Sequence, residues 1–109
     1  MNWELKYLLE AVDDLDKLNN SVRPQVLKGI LKVQQNPLPK SRGGYGEPLG
    51  NRRGNNLTGL YKIKFRGIGI RVVYALEERN SVMTVIVVSA RADNEVYDTA
   101  SSRRDKNDF

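Results

Sequence analysis

The sequence predicts an α+β domain. It has an N-terminal strand, an α-helical hairpin, a three-stranded antiparallel meander that completes a four-stranded twisted sheet, and a short C-terminal helix. Three observations carry this. In Leu57 to Tyr74, LTGLYKIKFRGIGIRVVY, the residues Lys62, Lys64 and Arg66 alternate with Tyr61, Ile63 and Phe65. That is the two-residue period of a half-buried strand. Gly67 and Gly69 then supply a turn before the β-branched run from Ile70 to Leu76, which makes a hairpin. Earlier in the chain, apolar residues recur at helical spacing in two successive segments. Later, Met83 to Val88 is apolar on both faces, the pattern of a strand inside a sheet.

Taken in order, Asn2 to Tyr7 alternates polar and apolar, with Trp3, Leu5 and Tyr7 on one side, as a first strand would. Leu8, Ala11, Val12, Leu15 and Leu18 form the stripe of a first helix, with Asp13, Asp14, Asp16 and Lys17 turned outward. Asn19-Asn20 ends it, Ser21 is the expected cap of the next helix, and Pro24 fits a first turn. Val26, Leu27, Ile30, Leu31 and Val33 give the second helix its buried side, and Asn36-Pro37 stops it. A link this short implies an antiparallel αα-hairpin. Residues 37–56, PLPKSRGGYGEPLGNRRGNN, have no period and read as a long basic loop, either functional or mobile. Glu77 to Ser81 is a turn. Asp93 or Asn94 should cap a short helix starting near Glu95, and 102–109 read as a fraying end or mobile tail.

The chain has 109 residues, with no cysteine and no histidine. Thiolate chemistry and disulfides are therefore excluded, and the usual proton shuttle and commonest zinc ligand are missing. The opening Met1-Asn2-Trp3-Glu4 does not read as a signal peptide, and no apolar run reaches the ~20 residues of a membrane span. The expected location is cytoplasmic. The formal net charge of +5 is localised: residues 37–76 hold eight basic residues against Glu47 alone, a net +7. A block of this kind is the footprint of a polyanion such as nucleic acid, although an acidic protein could use it too. Lys40, Arg42, Arg52, Arg53 and Arg66 are the candidate RNA-binding residues, with Tyr45 as the loop's aromatic; solubilising charge is the plainer account of them.

A tight loop at Gly67-Ile68 places Lys64 opposite Arg71 and Lys62 opposite Val73 on one face. Cations facing each other across a ladder are unfavourable. Unless a carboxylate lies nearby, this is a face built to receive an anion; the alternative is a solvated face with lysines guarding an edge strand. If the next strand pairs in even register about Glu77–Ser81, Arg91 joins the same face, and Tyr97 could bring its hydroxyl to that edge. The candidate set is Lys62, Lys64, Arg71, Arg91 and Tyr97.

YKIKFRGIGIRVVY followed by VSARADNEVY resembles the signature of the RelE toxins, in the RelE/ParE superfamily of toxin–antitoxin systems, and the likeness covers nearly the whole chain. It implies a single toxin domain over 1–109. The family's catalytic lysines fall on Lys62 and Lys64, its phosphate-binding arginine on Arg71, a second active-site arginine on Arg91, and its stacking tyrosine on Tyr97. Two positions depart from the pattern. The residue before Arg91, often basic, is Ala90, and the residue two past it, often basic, is Asp93.

The implied activity is a metal-independent, cofactor-free mRNA endoribonuclease acting in the ribosomal A site. A ribose 2′-OH attacks the adjacent phosphate to leave a 2′,3′-cyclic phosphate and a 5′-OH. The implied partners are a cognate antitoxin, the 70S ribosome with its mRNA, and operator DNA only through the antitoxin complex; no membrane is involved. Which of Lys62, Lys64 and Arg91 acts as base and which as acid stays open. A free lysine, with pKa ~10.4, is a poor base at neutral pH, and crowding by like charge would lower it. Two other readings remain: a ParE-like toxin of the same fold that inhibits gyrase, and a non-catalytic nucleic-acid-binding module.

Overall fold

The computed structural model describes residues 3–52 and 55–107. In chain order the elements are β1 (Glu4–Tyr7), α1 (Leu9–Asp16), α2 (Arg23–Gln34), a 3-10 turn (Lys40–Arg42), β2 (Glu47–Arg52), β3 (Asn55–Phe65), β4 (Ile70–Glu77), β5 (Val82–Ser89) and α3 (Asp93–Lys106). The strands form one sheet in the order β1-β5-β4-β3-β2. Among the described strands only the β1–β5 pair is parallel, with Leu5 opposite Met83. The expected strand, helical hairpin, meander and final helix are all present, and β5 is interior as its two apolar faces require.

The sheet has five strands rather than four. The extra one, β2, comes from the segment read as a loop, and it pairs antiparallel with β3 through a register shift between Pro48 and Gly50. The remainder of that segment is also pinned. Tyr74, whose side chain is fully buried, donates its hydroxyl to the Pro37 carbonyl at 2.9 Å, and backbone bonds join Tyr45 to Asn36 and Gly46 to Leu38. Gly46 has to be glycine here, because a Cβ would stand 2.5 Å from the Tyr74 hydroxyl.

Each face of the sheet carries its own core. Ala11, Leu15, Val26, Ile30 and Val33 of the helical hairpin cover Ile70, Val72, Tyr74, Met83, Val85 and Val88, with Tyr61, Ile63 and Phe65 at the margin. On the other face Val96, Tyr97 and Ala100 of α3 cover Leu49, Leu57, Leu60, Val73, Ala75, Ile86 and Val87. Burying Val96 and Tyr97 contributes roughly 2–3 kcal/mol each, enough to hold a helix with little propensity of its own. α3 extends through Lys106, so residues 102–106 are helical rather than tail; 108 and 109 lie outside the described residues.

The caps differ from expectation. α2 follows Val22 with no side-chain cap, and the Ser21 amide and hydroxyl both donate to the Asn19 side chain. What joins the two helices is Arg23. Its guanidinium donates to the Leu15, Asp16 and Leu18 carbonyls at 2.8, 2.9 and 2.9 Å, satisfying the groups that α1 leaves open at its end.

Asp14 does not face water. Its carboxylate accepts from the Val88 amide at 3.0 Å and from both terminal nitrogens of Arg103 at 2.6 and 3.2 Å, and Arg103 also donates to the Ile86 carbonyl. β1 pairs with β5 only as far as Val85. Beyond it, this ion pair satisfies the backbone groups of β5 that a longer β1 would have met. Among the described residues no helix is long and apolar enough to cross a membrane.

Candidate active site

The β3–β4 ladder has the expected register: Lys64 faces Arg71 and Lys62 faces Val73. Alternation puts Lys62, Lys64 and Arg71 on the α3 side of the sheet, at the end the helix body leaves uncovered. Phe65, the next residue, points to the opposite face and sets the position of this end. Its ring lies so close to Gly29 of α2 that a Cβ there would meet it at 2.2 Å. The turn that follows carries Gly69 at φ +67°, which favours glycine. An open cleft of about 320 Å³ at the hairpin end is lined by Lys64, Phe65, Arg66, Gly69, Ile70 and Arg71.

A carboxylate does lie between the facing cations. Lys64 Nζ donates to Asp93 Oδ2 at 2.9 Å, and Arg71 Nε donates to Asp93 Oδ1. Asp93 is the first residue of α3 and makes no cap; the cap position is Ala92. The hydrogen bond from Lys64, helped by Arg71, holds the Asp93 carboxyl below the usual carboxylate range. A second carboxylate, Glu47, stands on β2 opposite Lys62 in the ladder. It accepts from Lys40 at 3.0 Å and lies 3.9 Å from Lys62 Nζ. Its pKa is also lowered, first by the Lys40 hydrogen bond and further by the charges of Lys62 and Arg66.

Arg91 reaches the cluster through its backbone. Its carbonyl accepts from Arg71 Nη1 at 2.9 Å, while its own guanidinium, 72% exposed, pairs with Glu95 at 3.6 Å one helical turn on. The strands leave the turn in odd register, Glu77 opposite Val82, and the shift between Val73 and Tyr74 restores the even one, so Arg71 faces Ser89, two residues before Arg91; Arg91 itself lies past the end of β5. Tyr97 is 4% exposed and packed in the core beneath α3. A ring enclosed by Leu, Val and Ala side chains has no face free to stack on a base, so its position here is that of a packing residue.

Among the wider basic residues, Arg42 pairs with Glu78 at 2.7 Å and Arg66 is exposed in the hairpin turn beside the cleft. Arg52 ends β2, and Arg53 lies outside the described residues. Lys32 sits over the Tyr45 ring at 5.5 Å. A larger cavity of about 460 Å³ lies at the other end of the α3 face, between Leu60, Ala75, Thr84 and Arg104; none of the candidate catalytic residues lines it.

Asp93 and Glu47 are the residues that sequence reasoning missed as parts of the site. The available signal was charge balance: cations forced together by a ladder require a counter-anion, and these two acidic residues flank the elements that carry them.

No family model matches the chain. It is similar to the mRNA interferase toxin RelE of Escherichia coli strain K12, 31% identical over 106 residues that span 94% of this chain and 98% of that protein. Among solved structures it resembles a doubly substituted E. coli toxin RelE in the free state, with TM-score 0.71 and 30% identity over 94% of this chain and 98% of that one. It also resembles a chain of the intact E. coli RelBE toxin–antitoxin complex, with TM-score 0.64 and 28% identity over 83% of this chain and 98% of that one.

Proposed function

The chain belongs to the RelE toxin family, and from that premise we propose that it is a toxin that stops translation by cutting mRNA on the ribosome. The observation that carries the reading is the convergence of Lys64 and Arg71 on one small oxyanion, with Lys62 two residues along the same face. An arrangement that grips a carboxylate between an ammonium and a guanidinium will grip a phosphodiester in the same way.

In the proposed reaction the ribose 2′-OH attacks the adjacent phosphorus, the bond to the 5′-oxygen of the next nucleotide breaks, and a 2′,3′-cyclic phosphate and a 5′-OH result. The Arg71 guanidinium binds the phosphate oxygens and, with Lys64, stabilises the charge that builds on them. Its orientation is steadied by the Arg91 carbonyl. Lys62, 15% exposed at its side chain beside Glu47, lies on the flank where a proton has to be taken or given. The exposed Arg91 swings from its surface pair with Glu95 onto RNA, and Tyr97 supports the site from within the core. With weak acid–base groups the chemistry depends on something else fixing the substrate in line, and the ribosome supplies this. Its partners are then the 70S ribosome with mRNA and a cognate antitoxin, by analogy with the RelBE complex, in the cytoplasm.

Primer extension on mRNA from cells expressing the chain tests the reading. New in-frame 5′ ends are expected, and Arg71→Ala, still folded, should remove them, since loss of one charge-stabilising donor typically lowers turnover by ~10²–10³. Growth arrest without new ends, accompanied by gyrase inhibition, would replace this reading with the ParE-like one.

A further inference from the structure

Asp93 occupies the point where the positive charge of the sheet converges. Each of its oxygens takes one cation, Lys64 on Oδ2 and Arg71 on Oδ1, and as the first residue of α3 it also sits where helix amides favour an anion. A carboxylate held by a guanidinium and an ammonium has the charge and hydrogen-bond pattern of a bound phosphate.

We propose that Asp93 is an internal phosphate mimic that fills the anion seat between Lys64 and Arg71 in the free protein and must turn away before a phosphodiester can enter. This rests on reading those two cations as the phosphate-binding pair. Three features make the exchange workable. The Asp93 side chain is 38% exposed, so it has solvent to turn into and the seat is open to an incoming anion. Arg71 keeps a second bond, to the Arg91 carbonyl, which holds the guanidinium in position once Asp93 leaves. The carboxyl is held low by Lys64 and Arg71 and stays charged at neutral pH, so the seat opens by competition with another anion rather than by protonation.

A tethered carboxylate competes at high effective concentration. A phosphate arriving alone is therefore at a disadvantage against one held in place by other contacts, and Asp93 acts as a filter against loosely bound RNA.

The alternative role for Asp93 is to hold Lys64 and Arg71 in position for phosphate, and the two roles predict effects of opposite sign. Inorganic phosphate is titrated into the full-length chain and into Asp93→Asn and Asp93→Ala, with binding followed by NMR at the Arg71 side chain and folding checked by circular dichroism. Asp93→Ser, which keeps a small oxygen-bearing group at the helix start, substitutes for any variant that does not fold. Release of the seat should tighten phosphate binding at least tenfold in the variants. Unchanged or weaker binding overturns the proposal. Failure to cut mRNA would instead sink the ribonuclease reading while leaving the phosphate result standing, so the two failures are separable.

Discussion

Replacing Arg103 with alanine should be among the most damaging single changes to this fold outside its apolar core. Arg103 gives two hydrogen bonds to the Asp14 carboxylate and one to the Ile86 carbonyl. After the change Asp14, with a side chain 15% exposed, keeps only the Val88 amide. Removing one partner of a fully buried ion pair costs ~3–5 kcal/mol, and the same change at an exposed pair costs ~0–1 kcal/mol. At 15% and 20% exposure this pair lies towards the buried limit, with water able to reach one side of the stranded carboxylate. The Ile86 carbonyl adds about 1 kcal/mol. The expected total is about 3 kcal/mol, or roughly 12 °C in Tm at ~4 °C per kcal/mol for a domain of this size. Urea and thermal unfolding measure it directly. Removing Asp14 as well should return part of the loss, because the uncompensated charge disappears, and a double-mutant cycle should show coupling of at least ~1.5 kcal/mol. A loss below about 1 kcal/mol for Arg103→Ala, or simple additivity in the cycle, would refute the reasoning.

Gly29→Ala should destabilise although alanine is the better helix former. The helix gains ~1 kcal/mol, but the new Cβ meets the Phe65 ring at 2.2 Å, and overpacking of this kind costs ~1–3 kcal/mol. Denaturant titration should show a net loss, and phosphate binding should weaken because Phe65 positions Lys64. Tyr74→Phe removes the donor to the Pro37 carbonyl inside the core; a loss of ~1–2 kcal/mol is expected, with faster amide exchange at Tyr45 and Gly46. Asp93 and Glu47 both have lowered folded pKa values. Their contribution is therefore present above the ordinary carboxylate range near pH ~4 and is lost as pH falls through the lowered values. Between pH 5 and 2 the wild type should lose more stability than Asp93→Asn, by less than about 1 kcal/mol given the exposure of the pair; an identical slope would contradict the ion pairing.

Much of the site was legible because strand pairing is simple arithmetic. Once Gly67–Gly69 is read as a turn, the facing of Lys64 and Arg71 follows, and it is observed. β2 was not legible. Glu47–Arg52 contains Pro48 and Gly50 and shifts register between them, so nothing local specifies a strand, and pairing with β3 does. Asp93 looked like a cap because Asp before a helix usually is one; two nearby cations outcompeted the helix amides for its oxygens. Asp14 looked solvated because the helical period reports only which way a residue points from its own helix, and Arg103 approaches from another element. The last turns of α3 read as tail because SSRRDK has no apolar stripe, yet Arg103 within it is anchored. Tyr97 was placed at the site by its closeness in sequence to Arg91 and again by resemblance, whereas α3 turns its ring into the apolar layer against the sheet.

The two borders of the sheet are closed by unlike means. At one, β1 is four residues long and the stretch of β5 beyond it, without a strand partner on that side, is occupied by the Asp14–Arg103 pair rather than by backbone. At the other, Pro48 interrupts β2 and the ladder is irregular. Among the described residues neither border offers a long, flat row of free amides and carbonyls on which a strand from a second molecule could dock. A domain rich in Val and Ile strands is thereby protected from stacking into aggregates, and Arg103→Ala should expose that hazard by freeing the backbone of β5.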